Sequence, residues 1–194
     1  SYLSVSADNK FIYAVNENGT QSTVSSFSYD SSTGKTNLLN KNDALGADPC
    51  HLINDDKNVI AANYSGGSIV VFKKNANGSI TEVQQLIQHE GKGPNAARQE
   101  KAHVHMVVFS PDKKFVLSND LGLDKVFIYK YKFKNIYEND GFNVIAKGVS
   151  KSGPGSDLDQ TKIVRDEIER LINNYEIHSL HFYNGYFTYL LCKY

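Results

Sequence analysis

The sequence predicts an all-β protein: a β-propeller fragment of about three four-stranded blades plus a partial fourth, with one short helix near 159–174. Three observations predict it. Residues 1–150 are rich in Val, Ile, Tyr, Phe, Ser and Asn, set in short runs broken by Asp, Asn and Gly, the punctuation of strands and turns. The runs recur: "SYLSVSADNKFIYAVNE" (1–17) is echoed by "CHLINDDKNVIAANY" (50–64) and by "VHMVVFSPDKKFVLSNDL" (104–121). Each copy has a short apolar strand, an Asp-bearing turn, a second apolar strand and a closing Asn. A third strand follows each copy, and then a weaker fourth. Four antiparallel strands at a period of roughly 40–50 residues is the repeat of a propeller blade, whereas a sandwich requires no fixed period.

The elements follow in order. The third strands are "STVSSFSYD" (22–30), "GSIVVFKK" (67–74) and "DKVFIYKY" (124–131). The fourth is clearest in "ANGSITEVQQLI" (76–87), where Asn77-Gly78 supplies a hairpin turn. Beyond residue 150 the character changes. In "SGPGSDLDQTKIVRDEIERLINNY" (152–175), Ile163, Val164, Ile168, Leu171 and Ile172 fall near helical spacing, with Ser156 or Asp157 placed to cap a helix over 159–174. "IHSLHFYNGYFTYLL" (177–191) returns to strand as a remnant hairpin. The chain thus divides into 1–150, a partial propeller of about three blades, and 151–194, a divergent tail.

Composition narrows the function. Lys plus Arg and Asp plus Glu number 21 each among 194 residues, so no global field draws in nucleic acid or an anionic membrane. No run is long and apolar enough to span a bilayer. Two cysteines, Cys50 and Cys192, make neither a disulfide framework nor a metal-binding spacing, which points to a reducing, cytoplasmic setting. The opening "SYLSVSADNK" has neither Met nor a leader and reads as an internal piece of a longer protein.

The chemistry gathers in "HEGKGPNAARQEKAHVH" (89–105), which holds three of the six histidines. Strands in a blade alternate up and down. The connections between blades, "GADPCH" (46–51) and this stretch, therefore share a face with the ends of the second strands, Asn16-Glu17, Asn63-Tyr64 and Asn119-Asp120. That face opens on the central channel. His103 and His105 sit on one side of a strand, about 6–7 Å apart at the backbone. Three readings of the pair stand side by side. They are an interior pair satisfied by carbonyls; a metal site, which needs a third ligand such as His51 or His89; or a general base beside an anion-gripping Arg98. Asn63 and Asn119 also suit plain turn caps, and "GKG" (91–93) lacks the Lys-Ser/Thr of a phosphate loop.

Ala62-Asn63-Tyr64, the His89-to-Pro94 loop, Arg98-Gln99, His103 with His105, and Asp120 to Asp124 stand in this order along the chain. Together they resemble the seven-bladed propeller lactonases, the bacterial propeller-type 6-phosphogluconolactonases, which are related to a fungal carboxymuconate-cyclising enzyme. The resemblance covers residues 1 to about 150. It implies hydrolysis of a small-molecule sugar lactone, 6-phosphogluconolactone to 6-phosphogluconate in the pentose phosphate route, with no cofactor and no metal. For that reaction, side-chain chemistry makes His103, His105 and Arg98 the catalytic residues, with His103 or His105 as the base that takes a proton from water and Arg98 either binding the substrate's anionic group or stabilising the oxyanion, and makes Asn63, Tyr64, Gln99, His51 and Asp120 substrate-binding residues. A binding module without catalysis and a metal-dependent lactone hydrolase are the alternatives. The family's Gly-Pro-Arg-His stretch begins here as "SGPGSDLD" (152–159) without the Arg-His, and Cys192-Lys193 stands where an Asn-Glu is expected. Missing blades, or another copy, are then expected to complete the ring.

Overall fold

The structure is a computed structural model and describes residues 2–132 together with the strand segments 135–137, 146–147, 181–183 and 186–188. The helix expected over 159–174 lies outside the described residues.

Three antiparallel sheets follow one another along the chain, each a blade in strict sequence order. The first contains β1 (Leu3–Val5), β2 (Phe11–Asn16), β3 (Thr23–Asp30) and β4 (Lys35–Asp43). The second contains β5 (Pro49–Asn54), β6 (Asn58–Asn63), β7 (Ser68–Lys74) and β8 (Ile80–Gln88). The third contains β9 (Val104–Phe109), β10 (Phe115–Asp120), β11 (Lys125–Lys132) and β12 (Asn135–Tyr137), with β13 (Ala146–Lys147) also pairing β11. A final hairpin joins β14 (His181–Tyr183) to β15 (Tyr186–Thr188). A single 3₁₀ turn, Gly19–Gln21, is the one helical element among the described residues.

The middle blade shows why the sequence folds this way. β6 is buried at every position, and it alternates. Val59 and Ala61 pack with Tyr13, Val15 and Val24 of the first blade. Ile60 and Ala62 pack with Val104, Val107, Val116 and Tyr129 of the third. β7 does the same, with Val70 and Phe72 on one side and Ile69 and Val71 on the other. A sheet covered on both faces tolerates no polar alternation, so these strands read as unbroken apolar runs. Each fully buried side chain of this kind contributes about 1.5–3 kcal/mol. The first blade leaves its fourth strand largely uncovered: in β4, Leu38 is 58 % exposed.

Blades are also tied by polar contacts. Asn40 and Asn42 of β4 donate to the Ile80 carbonyl at 2.7 and 3.0 Å. The hydroxyl of Tyr131 donates to buried Asp55 at 2.6 Å, joining the third blade to the turn between β5 and β6. The turns "SADNK" and "SPDKK" close alike: Ser6 donates to Asp8 at 2.6 Å and Ser110 to Asp112 at 2.7 Å. In the middle blade Asp55 occupies the serine position, which frees a carboxylate oxygen for Tyr131.

The expected Asn77-Gly78 turn joins β7 to β8, with Gly78 in the left-handed region at φ 84°. One detail of the repeat shifts by a residue. Pairing places Asn16 against Thr23, Asn63 against Ser68 and Asp120 against Lys125, so Asn63 corresponds to Asp120 rather than to Asn119.

Candidate functional site

Each connection between blades is stitched to the end of a second strand. The Tyr64 N–H donates to the Asp48 carbonyl at 2.9 Å, and the Leu121 N–H donates to the His103 carbonyl at 2.9 Å. The connections and the second-strand ends therefore do share one end of the sheets. At that end both β5 and β9 carry a bulge, with the extra residue falling at Cys50 and at His105. A bulge turns a side chain out of the regular alternation. The two bulged residues touch: the Cys50 thiol donates to the His105 carbonyl at 3.2 Å. Burial pushes that thiol up to about 12, so it is no nucleophile near neutrality.

His103, His105 and Tyr64 come together. The Tyr64 ring stacks on His103 with centroids 4.7 Å apart and meets His105 edge-on at 5.7 Å. His103 is buried, with Nδ1 3.2 Å from the Tyr64 carbonyl and Nε2 3.1 Å from the Glu100 carboxylate. Both ring nitrogens thus face oxygen acceptors. His105 differs. Its residue surface is exposed, yet partial desolvation among the first strands lowers its pKa, which favours a neutral ring.

His51, in β5, neighbours His105. Burial, and then the neighbouring His105, lower its pKa to about 4. Its Nδ1 is buried without a hydrogen-bond partner, and its ring stacks on Tyr2 at 4.1 Å. Tyr2, Cys50 and Glu100 were not singled out by sequence reasoning. Glu100 stands three residues before His103 in the quoted loop, a spacing that offered a signal. Tyr2 precedes Leu3, paired to Ala14, as His51 precedes Leu52, paired to Ala61, so the repeat offered one there as well.

Three other expected residues hold the site from behind. Gln99 is 1 % exposed; its Nε2 donates to the Leu121 carbonyl at 2.9 Å and to Asp124 at 2.7 Å, while its Oε1 accepts the Asn95 N–H at 2.9 Å. Asn63 is fully buried and donates to the Ala44 carbonyl and to Ser68, both at 3.0 Å. Asp120 is 2 % exposed, with one oxygen on His89 at 2.7 Å and the other on the His103 N–H at 2.8 Å. All three have their polar reach spent inside the fold, apart from the buried Asn63 Oδ1. Arg98 is exposed on the loop, where its N–H donates to the Asn95 carbonyl at 3.0 Å.

His89, one candidate for a third metal ligand, has both ring nitrogens engaged, by Asp120 and by the Tyr129 hydroxyl at 2.5 Å. Among the described residues, no group of three or more His, Cys, Asp or Glu is arranged to hold a metal ion. Nor is any helix there long and apolar enough to cross a membrane.

Known proteins resemble this chain. The family profile described as "Lactonase, 7-bladed beta-propeller" matches residues 1–154. A 6-phosphogluconolactonase of Bacillus subtilis (strain 168) is 35% identical over 134 residues, 68% of this chain and 38% of that protein. A crystallised Bacteroides fragilis protein is 42% identical with a TM-score of 0.68, over 70% of this chain and 38% of that one. The periplasmic gluconolactonase of Pseudomonas aeruginosa is 32% identical with a TM-score of 0.61, over 68% of this chain and 39% of that one. The chain thus spans well under half the length of these relatives.

Proposed function

Because the chain belongs to the lactonase, seven-bladed β-propeller family, we propose that it carries part of a site that hydrolyses a sugar lactone. The observation that carries this reading is the grouping of His103, His105 and Tyr64 at one mouth. The substrate proposed is 6-phosphogluconolactone, opened to 6-phosphogluconate as in the pentose phosphate route. In support, the Bacillus subtilis relative bears that enzyme's name, and a sugar lactone is the class it shares with the Pseudomonas aeruginosa relative.

His105 is the general base, since a ring kept neutral can take a proton from water as its oxygen attacks the lactone carbonyl. His103, held at the mouth by the Tyr64 carbonyl and the Glu100 carboxylate, orients the Tyr64 ring beside the reacting carbonyl. Collapse breaks the bond from the carbonyl carbon to the ring oxygen. That oxygen leaves as the hydroxyl of the open acid and takes the proton from His105. Arg98 grips the anionic end of the substrate, and His51 and Tyr64 line the mouth. Asn63, Gln99 and Asp120 shape the site through the contacts already described. No cofactor enters.

The chain requires further blades, or another copy, to reach full rate. In β1, Leu3 and Val5 are 55 % and 39 % exposed, on the face opposite Ser4, whose hydroxyl accepts from Asn54 of the middle blade. A further blade, other than the middle one, packs on such a face. A cytoplasmic location is proposed on the sparse use of cysteine, and residues 151–194 are taken as a divergent tail.

The test is lactone hydrolysis by the chain and by a form extended with the remaining blades, with and without chelator. The expected result is chelator-resistant hydrolysis in the extended form, lost in His105→Ala. Activity that survives both His103→Ala and His105→Ala overturns the assignment. Chelator sensitivity favours a metal enzyme, and lactone binding without turnover favours a binding module.

A further inference from the structure

Asp120 occupies a position that recurs, and only in the third blade is it ionisable and paired with a histidine. Strand register equates Asn63 with Asp120. Ala44 and His89 are equivalent as well. Each follows a fourth strand directly, and each donates its N–H to a carbonyl of its own blade, Ser22 at 3.0 Å and Gly67 at 2.9 Å. In the middle blade a neutral amide reaches back to a backbone carbonyl, Asn63 Nδ2 to Ala44 at 3.0 Å. The third blade replaces the amide with a carboxylate and the alanine with an imidazole. The side chains of His89 and Asp120 are 2% and 0% exposed and meet at 2.7 Å. Burying such a pair costs desolvation that the neutral version avoids. The middle blade shows that folding alone is satisfied by the neutral version.

The third-blade version has one feature the other lacks. Asp120 Oδ1 accepts the N–H of His103 at 2.8 Å and that of Leu123 at 3.1 Å. In the middle blade Asn63 Oδ1 is left without a partner. Behind Asp120, the Tyr129 hydroxyl lies 2.5 Å from His89 Nε2, and the His89 ring packs on Phe127 at 4.1 Å. Both ring nitrogens of His89 and both oxygens of Asp120 are thereby engaged.

We propose that His89 is a positioning residue: the chain Tyr129–His89–Asp120 fixes the backbone of His103, and with it the angle at which the His103 ring meets Tyr64 and Glu100. This rests on the reading of His103 as a site residue. His89 has no reach to a substrate of its own, since it is buried behind Asp120.

The experiment uses the 194-residue chain, labelled with ¹⁵N, and follows amide exchange at His103 and its imidazole resonances. In His89→Leu, exchange at the His103 amide is expected to quicken at least tenfold and the His103 ring signals to shift. The amides of Lys57 and Asn58, which donate to Asp55 on the far turn, are expected to stay as they are. His89→Asn, which keeps a donor for Asp120, is expected to restore most of the protection. If His89→Leu does not fold, Tyr129→Phe decides, with an expected several-fold rise in His103 exchange. Unchanged His103 exchange and ring signals, in whichever of these variants folds, overturn the proposal. Lactone hydrolysis in the extended form is the second arm, expected to lose kcat with KM held. A His103 response without any change in hydrolysis upholds the positioning role and removes His103 from the hydrolytic step, whereas an extended wild type that hydrolyses no lactone sinks the lactone reading instead.

Discussion

The ring of Tyr64, just past the end of β6, stacks on His103 of the next blade with centroids 4.7 Å apart. The same ring meets His105 edge-on, so a single side chain from one blade sets the environment of two histidines in another. Removing it should be felt in rate as well as stability. Aromatic pairs contribute about 0.5–1.5 kcal/mol beyond their burial. Tyr64→Ala is expected to lower kcat/KM for lactone hydrolysis about tenfold in a form with all its blades, and Tyr64→Phe to retain most of it. Wild-type kcat/KM in Tyr64→Ala would remove the stack from the mechanism.

The histidines at the mouth also set how stability responds to pH. His51 titrates at about 4 in the folded chain, against 6.5 ordinarily. Above pH 6.5 neither folded nor unfolded chain protonates it. Between 6.5 and 4 the unfolded chain takes up a proton that the folded chain refuses, so stability falls as pH falls, by at most ~3 kcal/mol. His105 adds in the same direction. The carboxylates of Asp30 and Asp112, held down to about 2 by hydrogen bonds from Ser32 and Ser110, act at lower pH than the histidines. Urea midpoints from pH 7.5 to pH 4.5 are expected to decline in the wild type and to flatten in His51→Phe. An equal slope in both would assign the pH dependence elsewhere.

Gly122 marks where the loop and the turn after β10 meet. A Cβ built there would lie 1.9 Å from the Lys101 carbonyl oxygen and 2.8 Å from the His103 nitrogen, both backbone. Backbone cannot swing aside as a side-chain tip does, so Gly122→Ala must displace the segment that carries His103. The expected outcome is a fold retained in the first two blades, a shifted His103 resonance and hydrolysis reduced by tenfold or more. Wild-type spectra would mean that the two segments are free to part.

On the opposite end, Tyr131 ties the third blade to the second. Its hydroxyl donates to Asp55 and accepts from Asn58, both at 2.6 Å. Tyr131→Phe strands a buried carboxylate oxygen and a buried amide, each needing a partner, and should cost about 1–3 kcal/mol. Chemical denaturation followed by tyrosine fluorescence measures it. An unchanged midpoint would show that water replaces the hydroxyl.

By itself the sequence determined the blades, because strand period and turn chemistry are local. "NVIAAN" (58–63) and "SIVVFKK" (68–74) announce strands buried on both faces, and Asn77-Gly78 announces the hairpin between β7 and β8. It also placed His103, His105 and Tyr64 on one end, since alternation of strand direction follows from counting strands. Tertiary structure decided which polar residues face outward and which brace. Asn63, Gln99 and Asp120 look like ligands in a list of polar residues, yet they are buried because a propeller packs the end of each second strand, which bears Asn63 and Asp120, beneath the preceding connection, which bears Gln99. The pairing of Asp120 with His89 spans 31 residues, and no local pattern encodes a contact whose two halves meet only when neighbouring blades close on each other.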